Sequence, residues 1–252
     1  MIPLSHNDPL PLFFLFLLGL SLGSFLNVVT WRLPRGLSLF RPGSHCPNCE
    51  VPIRAWEKLP LLGYLLLRGR CRHCGEEIPV RYPLGELIGG VCLLVAAQYS
   101  DGLASTLLRG VFLLAMVAVV FIDREHGIIP DRITLPGTLL GFACAPILGV
   151  SWGHSALGIL LGAGWLLLVI GIYWLIRRVV GMGGGDVKLA AMLGAWLGWK
   201  GVFLALLLAS FLGVLWGIGL ILRKGVSARD TLPYGVFLGP VAAILLLLGS
   251  SL

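Results

Sequence analysis

From Pro9 to Trp31 the chain reads PLPLFFLFLLGLSLGSFLNVVTW, without one charged side chain. A helix rises ~1.5 Å per residue, so a run of this length crosses a ~30 Å hydrocarbon core. Comparable runs follow at roughly 84–100, 103–122, 133–150, 155–176, 186–200, 201–222 and 235–252. Hydrophobic residues make up 57% of the 252 and charged ones 12%, with mean hydropathy +0.93. A soluble domain carries more charge than that. The expected fold is an all-α polytopic membrane protein with about eight transmembrane helices in a lipid bilayer. His6 and Asp8, not a basic segment, precede the first run, so it is read as a retained helix rather than a secretory signal.

The formal charge of +7 suggests a nucleic-acid partner only until the bases are placed on this topology. With odd-numbered spans running outside to inside, every base but Arg109 and Lys200 falls in an inner loop. That is the positive-inside pattern, so charge reports orientation and no nucleic acid is expected. The sixth run is the weakest, because Val187–Trp199 gives only ~20 Å of helix. A re-entrant hairpin there is the alternative, and it would move Arg223 and Lys224 outside.

Most of the polar chain lies between the first two runs. Seven prolines from Pro34 to Pro83 interrupt it, so long helices are excluded, and about fifty residues bury too little apolar surface to hold a fold alone. A staple is visible in HCPNCE and RCRHCGEE. Cys46-x2-Cys49 and Cys71-x2-Cys74 form paired knuckles of the kind whose thiolates close a tetrahedral zinc site. Two disulfides are the alternative, disfavoured if the loop faces a reducing cytoplasm. His45 and His73 are read as surface residues, Cys92 and Cys144 as packed apolar ones.

Two acidic motifs remain. In FIDREHGIIPDRITLP, Asp123 follows the apolar run Val117–Ile122 and belongs at the inner end of the third span. In GMGGGDVKLAAM, Asp186 opens the sixth span at the same boundary. Ionisable groups in membrane helices face a partner or a pathway, and two carboxylates in a poorly solvated site share a proton. Such a pair activates water with one member and polarises a carbonyl with the other. Gly181, Gly183, Gly184 and Gly185 would let the backbone approach an extended substrate there. The structural alternatives are a helix N-cap at Asp186, a boundary ion pair of Asp123 with Arg124 or Arg132, and Asp131 as a cap or as a substitute dyad member.

With these motifs in this order, the sequence closely resembles the type IV prepilin peptidases, bacterial membrane aspartic proteases of the G-x-G-D class. The likeness runs from GSFLNVVTWRLP (23–34) through both knuckles, FIDREHGIIPD (121–131) and GMGGGDVKLAAMLGAWLGW (181–199), to LPYGVFLGPVA (232–242). The resemblance implies cleavage of the basic leader of type IV prepilins and type II pseudopilins after a glycine, at the cytoplasmic face of the bacterial inner membrane. N-methylation of the new terminus by S-adenosylmethionine follows. It places the catalytic aspartates on Asp123 and Asp186, and the knuckles in the branch that carries methyltransferase activity. Departures are Glu50 where the first knuckle often has glycine, Lys58–Leu59 before Pro60, Gly184 where a large residue is frequent, and PYGVF.

The implied organisation is a first helix (1–31), a zinc-binding and candidate methyltransferase loop (32–83) and a membrane aspartic peptidase domain (84–252). No dinucleotide-type glycine fingerprint marks the methyl donor, and Glu57, Arg68 and Arg70 are candidates for holding it. The alternatives are a peptidase without methyl transfer, a non-catalytic pilin assembly factor, and a proton-coupled transporter, which would need carboxylates nearer the midplane. Oligomeric state is not legible.

Overall fold

The computed structural model describes residues 9–179, 183–224 and 233–249. Among the described residues every regular element is helical, apart from two isolated bridges, His45 to Pro52 and Arg70 to Glu77. The chain divides into two compact units, one ending at Leu114 and one beginning at Ala115.

In the first unit α1 (Pro9–Arg32) and α3 (Arg81–Gln98) pack antiparallel, with the short α2 (Leu62–Leu66) in the loop between them. Glycines set the contact. Gly19 lies against Gly89 and Gly90, and Gly23 against Gly85 and Glu86, so two G-x-x-x-G ridges meet backbone to backbone. Lipid tails are as apolar as leucine, so membrane helices associate through close packing of small residues rather than by burying large ones. Beyond the glycines, the Asn27 side chain donates to the Tyr82 carbonyl at 2.9 Å, closing the end of the pair where α1 stops and α3 starts.

The unit boundary falls within α4 (Leu103–His126). The second unit continues with α5 (Asp131–Cys144), α6 (Trp152–Arg177), α7 (Gly184–Lys224) and α8 (Gly235–Leu248). Ser151 caps α6 by accepting the His154 N–H at 3.2 Å. The sixth and seventh runs appear as one element, α7, broken at Gly198, where φ is 70° and ψ 179°. Against α6, Gly158 meets Gly194 and Gly198, while Gly162 meets both Ala190 and Val202. The two arms of α7 therefore fold back on each other at Gly198, the first antiparallel to α6 and the second parallel to it. An L-residue at that φ would be strained, so glycine makes the hairpin.

The core of this unit forms around the first arm. Trp196 is 1% exposed and donates its indole N–H to the Gly137 carbonyl at 2.8 Å, and the Ser155 hydroxyl reaches the Ala195 carbonyl at 2.8 Å. On the far side of α6, Leu160, Leu167, Leu175 and Ile176 are all exposed. Small residues inside and large apolar residues outside are the inverse of a soluble helix and suit a lipid solvent. Among the described residues four helical elements are long and apolar enough to cross a membrane: Pro9–Arg32, Leu103–His126, Trp152–Arg177 and Gly184–Leu220, the last broken at Gly198. The expected spans at 84–100, 133–150 and 235–252 coincide with the shorter α3, α5 and α8.

Candidate functional site

Four helix ends converge in the second unit. Asp123 sits in the last turn of α4, buried to 5% exposure beside Val119 and Ile122. Gly127, at φ 62°, stops that helix and returns its N–H to the Asp123 carbonyl at 2.8 Å. The chain then runs through Ile129 and extended Pro130 into α5. Asp186 lies in the first turn of α7, half-buried, with the Gly183 amide facing its carboxylate. The Asp123 carboxylate lies within electrostatic range of Asp186, and Asp186 within range of the Tyr234 hydroxyl.

The chain that joins these ends is itself braced. Lys188 Nζ reaches both carboxylate oxygens of Asp131 at 2.7 Å, tying the start of α5 to the start of α7. Gly185 lies against Ile129, where an added Cβ would come within 3.0 Å of the Ile129 Cβ. Asp131 is thus engaged by Lys188, and Asp186 stands inside the first turn of its helix rather than at the N-cap. Of the four glycines of the candidate substrate loop, Gly183 adjoins Asp186, Gly185 packs on Ile129 and Gly184 has open space around it. Gly181 lies outside the described residues.

The fourth helix end carries residues to which sequence reasoning attached no role. At the N-terminus of α8, the amides of Gly235 and Val236 face the Asp123 carboxylate. A Cβ on Gly235 would sit 2.9 Å from Asp123 Oδ2 and 3.3 Å from its Cγ. This Oδ2 is buried and closes no hydrogen bond of good geometry. The positive end of the α8 dipole therefore points at a carboxylate that keeps an acceptor free. One residue earlier, the Tyr234 hydroxyl donates to the Leu206 carbonyl at 3.1 Å and lies 3.1 Å from Ser210 Oγ, fastening α8 to the second arm of α7. The signal available was a further G-x-x-x-G, Gly235 to Gly239, with Gly239 pressed against Val120.

In the first unit the four knuckle sulfurs lie within 4.8 Å of one another, with Cys46–Cys74 at 3.8 Å and Cys49–Cys71 at 3.9 Å. Zinc–sulfur bonds of about 2.3 Å in a tetrahedron give edges of about 3.8 Å, so the cluster fits that ion. The two knuckles match bond for bond. Glu50 N–H returns to the Cys46 carbonyl and Gly75 N–H to that of Cys71, both at 2.9 Å. The amides of Cys74 and His73 bring the Cys71 thiol down to about 6. Cys49 behaves oppositely: although the Val51 amide favours its thiolate, desolvation and the thiols of Cys46, Cys74 and Cys71 push it up to about 12. Four thiolates this close repel, and a bound cation is what lets all of them ionise.

Gly75 and Glu50 occupy equivalent positions with φ of 73° and 58°. Only glycine takes that conformation without strain, and a side chain there costs about 1 kcal/mol. Glu50→Gly should therefore tighten the first knuckle, slowing metal loss to a chelator by about threefold after the extra unfolded-state entropy of glycine is subtracted. Unchanged or faster release would contradict the strain. Nearby, the Glu57 carboxylate accepts the Arg54 amide at 2.8 Å and lies 3.6 Å from Arg72, while Arg70 reaches Glu77 at 3.5 Å. Glu57 thus braces the loop, while Arg70 keeps an exposed side chain beside Glu77.

Residues 17–99 match the Bacterial Peptidase A24 N-terminal domain, and residues 110–218 match the Type IV leader peptidase family. A protein of Aeromonas hydrophila named prepilin leader peptidase/N-methyltransferase is 39% identical across 100% of this chain and 96% of its own length. Proteins with the same name from Myxococcus xanthus and Neisseria gonorrhoeae are 42% and 38% identical, covering 90% and 82% of this chain and 68% and 82% of themselves. No solved structure matches. With relatives aligned along its whole length and both units matched in order, the chain belongs to the type IV leader peptidase family.

Proposed function

We propose that this chain processes type IV prepilins and type II pseudopilins at the cytoplasmic face of the bacterial inner membrane, removing the leader after glycine and then methylating the new N-terminus. One observation carries the peptidase half. Asp123 and Asp186, far apart in sequence, come within electrostatic range at the ends of two apolar helices. The names of the relatives carry the substrate and the second activity, and the distribution of bases supports the cytoplasmic side.

The two carboxyls hold one proton between them. The ionised member takes a proton from water as that water adds to the scissile carbonyl carbon. The protonated member gives its proton to the carbonyl oxygen, forming the tetrahedral gem-diol. On collapse a gem-diol hydroxyl returns its proton to the second carboxylate as the C=O re-forms, the C–N bond breaks, and the first carboxyl protonates the leaving amine, restoring the shared proton. The α8 amides hold the Asp123 carboxylate in place, and its unpartnered Oδ2 is the acceptor a water or the shared proton would meet. Gly183 and Gly184 leave open backbone beside Asp186 for an extended peptide. Cys46, Cys49, Cys71 and Cys74 hold structural Zn2+. S-adenosylmethionine supplies the methyl group. The loop 32–83 carries the transfer and residues 84–252 the proteolysis.

The test uses the purified chain in detergent with a prepilin and a labelled methyl donor. Wild type should release the leader and label the new terminus. Cys46→Ser/Cys71→Ser should lose zinc, and with it methyl transfer before proteolysis. No cleavage by wild type would overturn the enzymatic reading in favour of an assembly role, and equal loss of both activities would count against separate sites.

A further inference from the structure

The loop of the first unit displays apolar side chains that nothing within the loop covers. Leu62, Leu65 and Leu66, spaced i, i+3 and i+4 on α2, are 56%, 67% and 68% exposed, and Leu59 just before them is also exposed. The other side of the helix turns inward, with Gly63 pressed on the Glu57 carbonyl. Clustered leucines on a polar loop mark a contact surface.

We propose that this face of α2 lies in the headgroup–acyl boundary of the bilayer and anchors the sulfur-cluster loop to the lipid surface. Its level comes from two hydrogen bonds. The Leu61 N–H donates to Glu86 Oε2 at 2.7 Å, and Glu86 stands in the second turn of α3. Asn27, in the last turns of α1, reaches the Tyr82 carbonyl at the start of α3. α2 is thereby pinned where α1 ends and α3 begins. Because α1 is long and apolar enough to span, that level is the membrane boundary. Side chains typical of that zone gather there: Trp31 at the end of α1, Tyr82 at the start of α3 and Trp56 ahead of α2 are all exposed. Charge agrees with apolarity. Lys58, Arg68 and Arg70 flank the leucines and are exposed, the arrangement by which a short apolar face and its basic rim bind anionic lipid.

A photoreactive p-benzoylphenylalanine in place of Leu65, and separately of Leu66, tests this in the full chain reconstituted in phosphatidylethanolamine/phosphatidylglycerol vesicles. After irradiation and digestion, mass spectrometry should find phospholipid adducts at both positions, within a few-fold of the yield at Leu18 on α1 and well above that at Glu77 beside the sulfur cluster. Adducts to a second copy or to an added prepilin in place of lipid would overturn the proposal. So would absence of adducts at both positions while Leu18 is labelled. The readout requires neither peptidase nor methyltransferase activity, so its outcome is independent of the proposed function.

Discussion

Asp123→Asn and Asp186→Asn should each lower kcat/KM for leader removal by about 10⁴-fold or more, while methylation of a synthetic mature N-terminus persists. Asparagine keeps the volume of the carboxyl but cannot exchange a proton with water, so the variant isolates chemistry from packing. This matters most at Asp123, which is buried to 5% exposure and would leave a cavity as alanine. On the proposed mechanism the double variant should cleave no more slowly than either single one, because two carboxyls acting as one acid–base device give losses that do not add. Measured cleavage near the wild-type rate in either single variant would remove the dyad. Loss of both activities together with loss of helical circular dichroism would mark a folding defect instead, and the intact methylation readout guards against that confusion.

Gly235→Ala should reduce cleavage by about 10²-fold with little change in thermal stability. The added methyl would sit 2.9 Å from Asp123 Oδ2, so either the carboxylate or the first turn of α8 must move by several tenths of an ångström. A displaced Asp123 can no longer face both the α8 amides and Asp186. The loss should fall on kcat rather than KM, since Gly235 lies against the proposed catalytic carboxylate of Asp123 and not the candidate substrate loop. Gly239→Ala, one turn further along and pressed on the Val120 side chain, is the control: it strains the α4–α8 contact without touching Asp123. Equal effects at both glycines would mean that Gly235 serves packing alone.

Much of this was legible because membrane solvent simplifies the code. The apolar runs at 10–30, 103–122 and 155–176 reappear as helices long enough to span, and those at 186–200 and 201–222 as the two arms of α7. The cysteine spacing announced a cluster whose four sulfurs do gather within 4.8 Å of one another. Less legible was how the runs pair. Glycines to which sequence reasoning attached no role form contact ridges, Gly19 and Gly23 on Gly85 and Gly89, and Gly158 and Gly162 on α7. Nor could hydropathy distinguish a short re-entrant segment from two arms folded at Gly198, since both are apolar throughout. Asp131 and Glu57, each open to a functional reading, became engaged with Lys188 and Arg72 once the chain was folded.

Sequence alone determined that the chain is helical, that lipid is its solvent, which four sulfurs cluster and which two carboxylates deserve notice, because hydropathy, ligand spacing and isolated charge are local properties of residues. Tertiary structure decided that Asp123 comes within electrostatic range of Asp186 and faces the N-terminus of α8, and that α2 is tied to the start of α3 beside the end of α1. Those depend on which small residues let backbones approach, a relation between distant segments that no local pattern encodes.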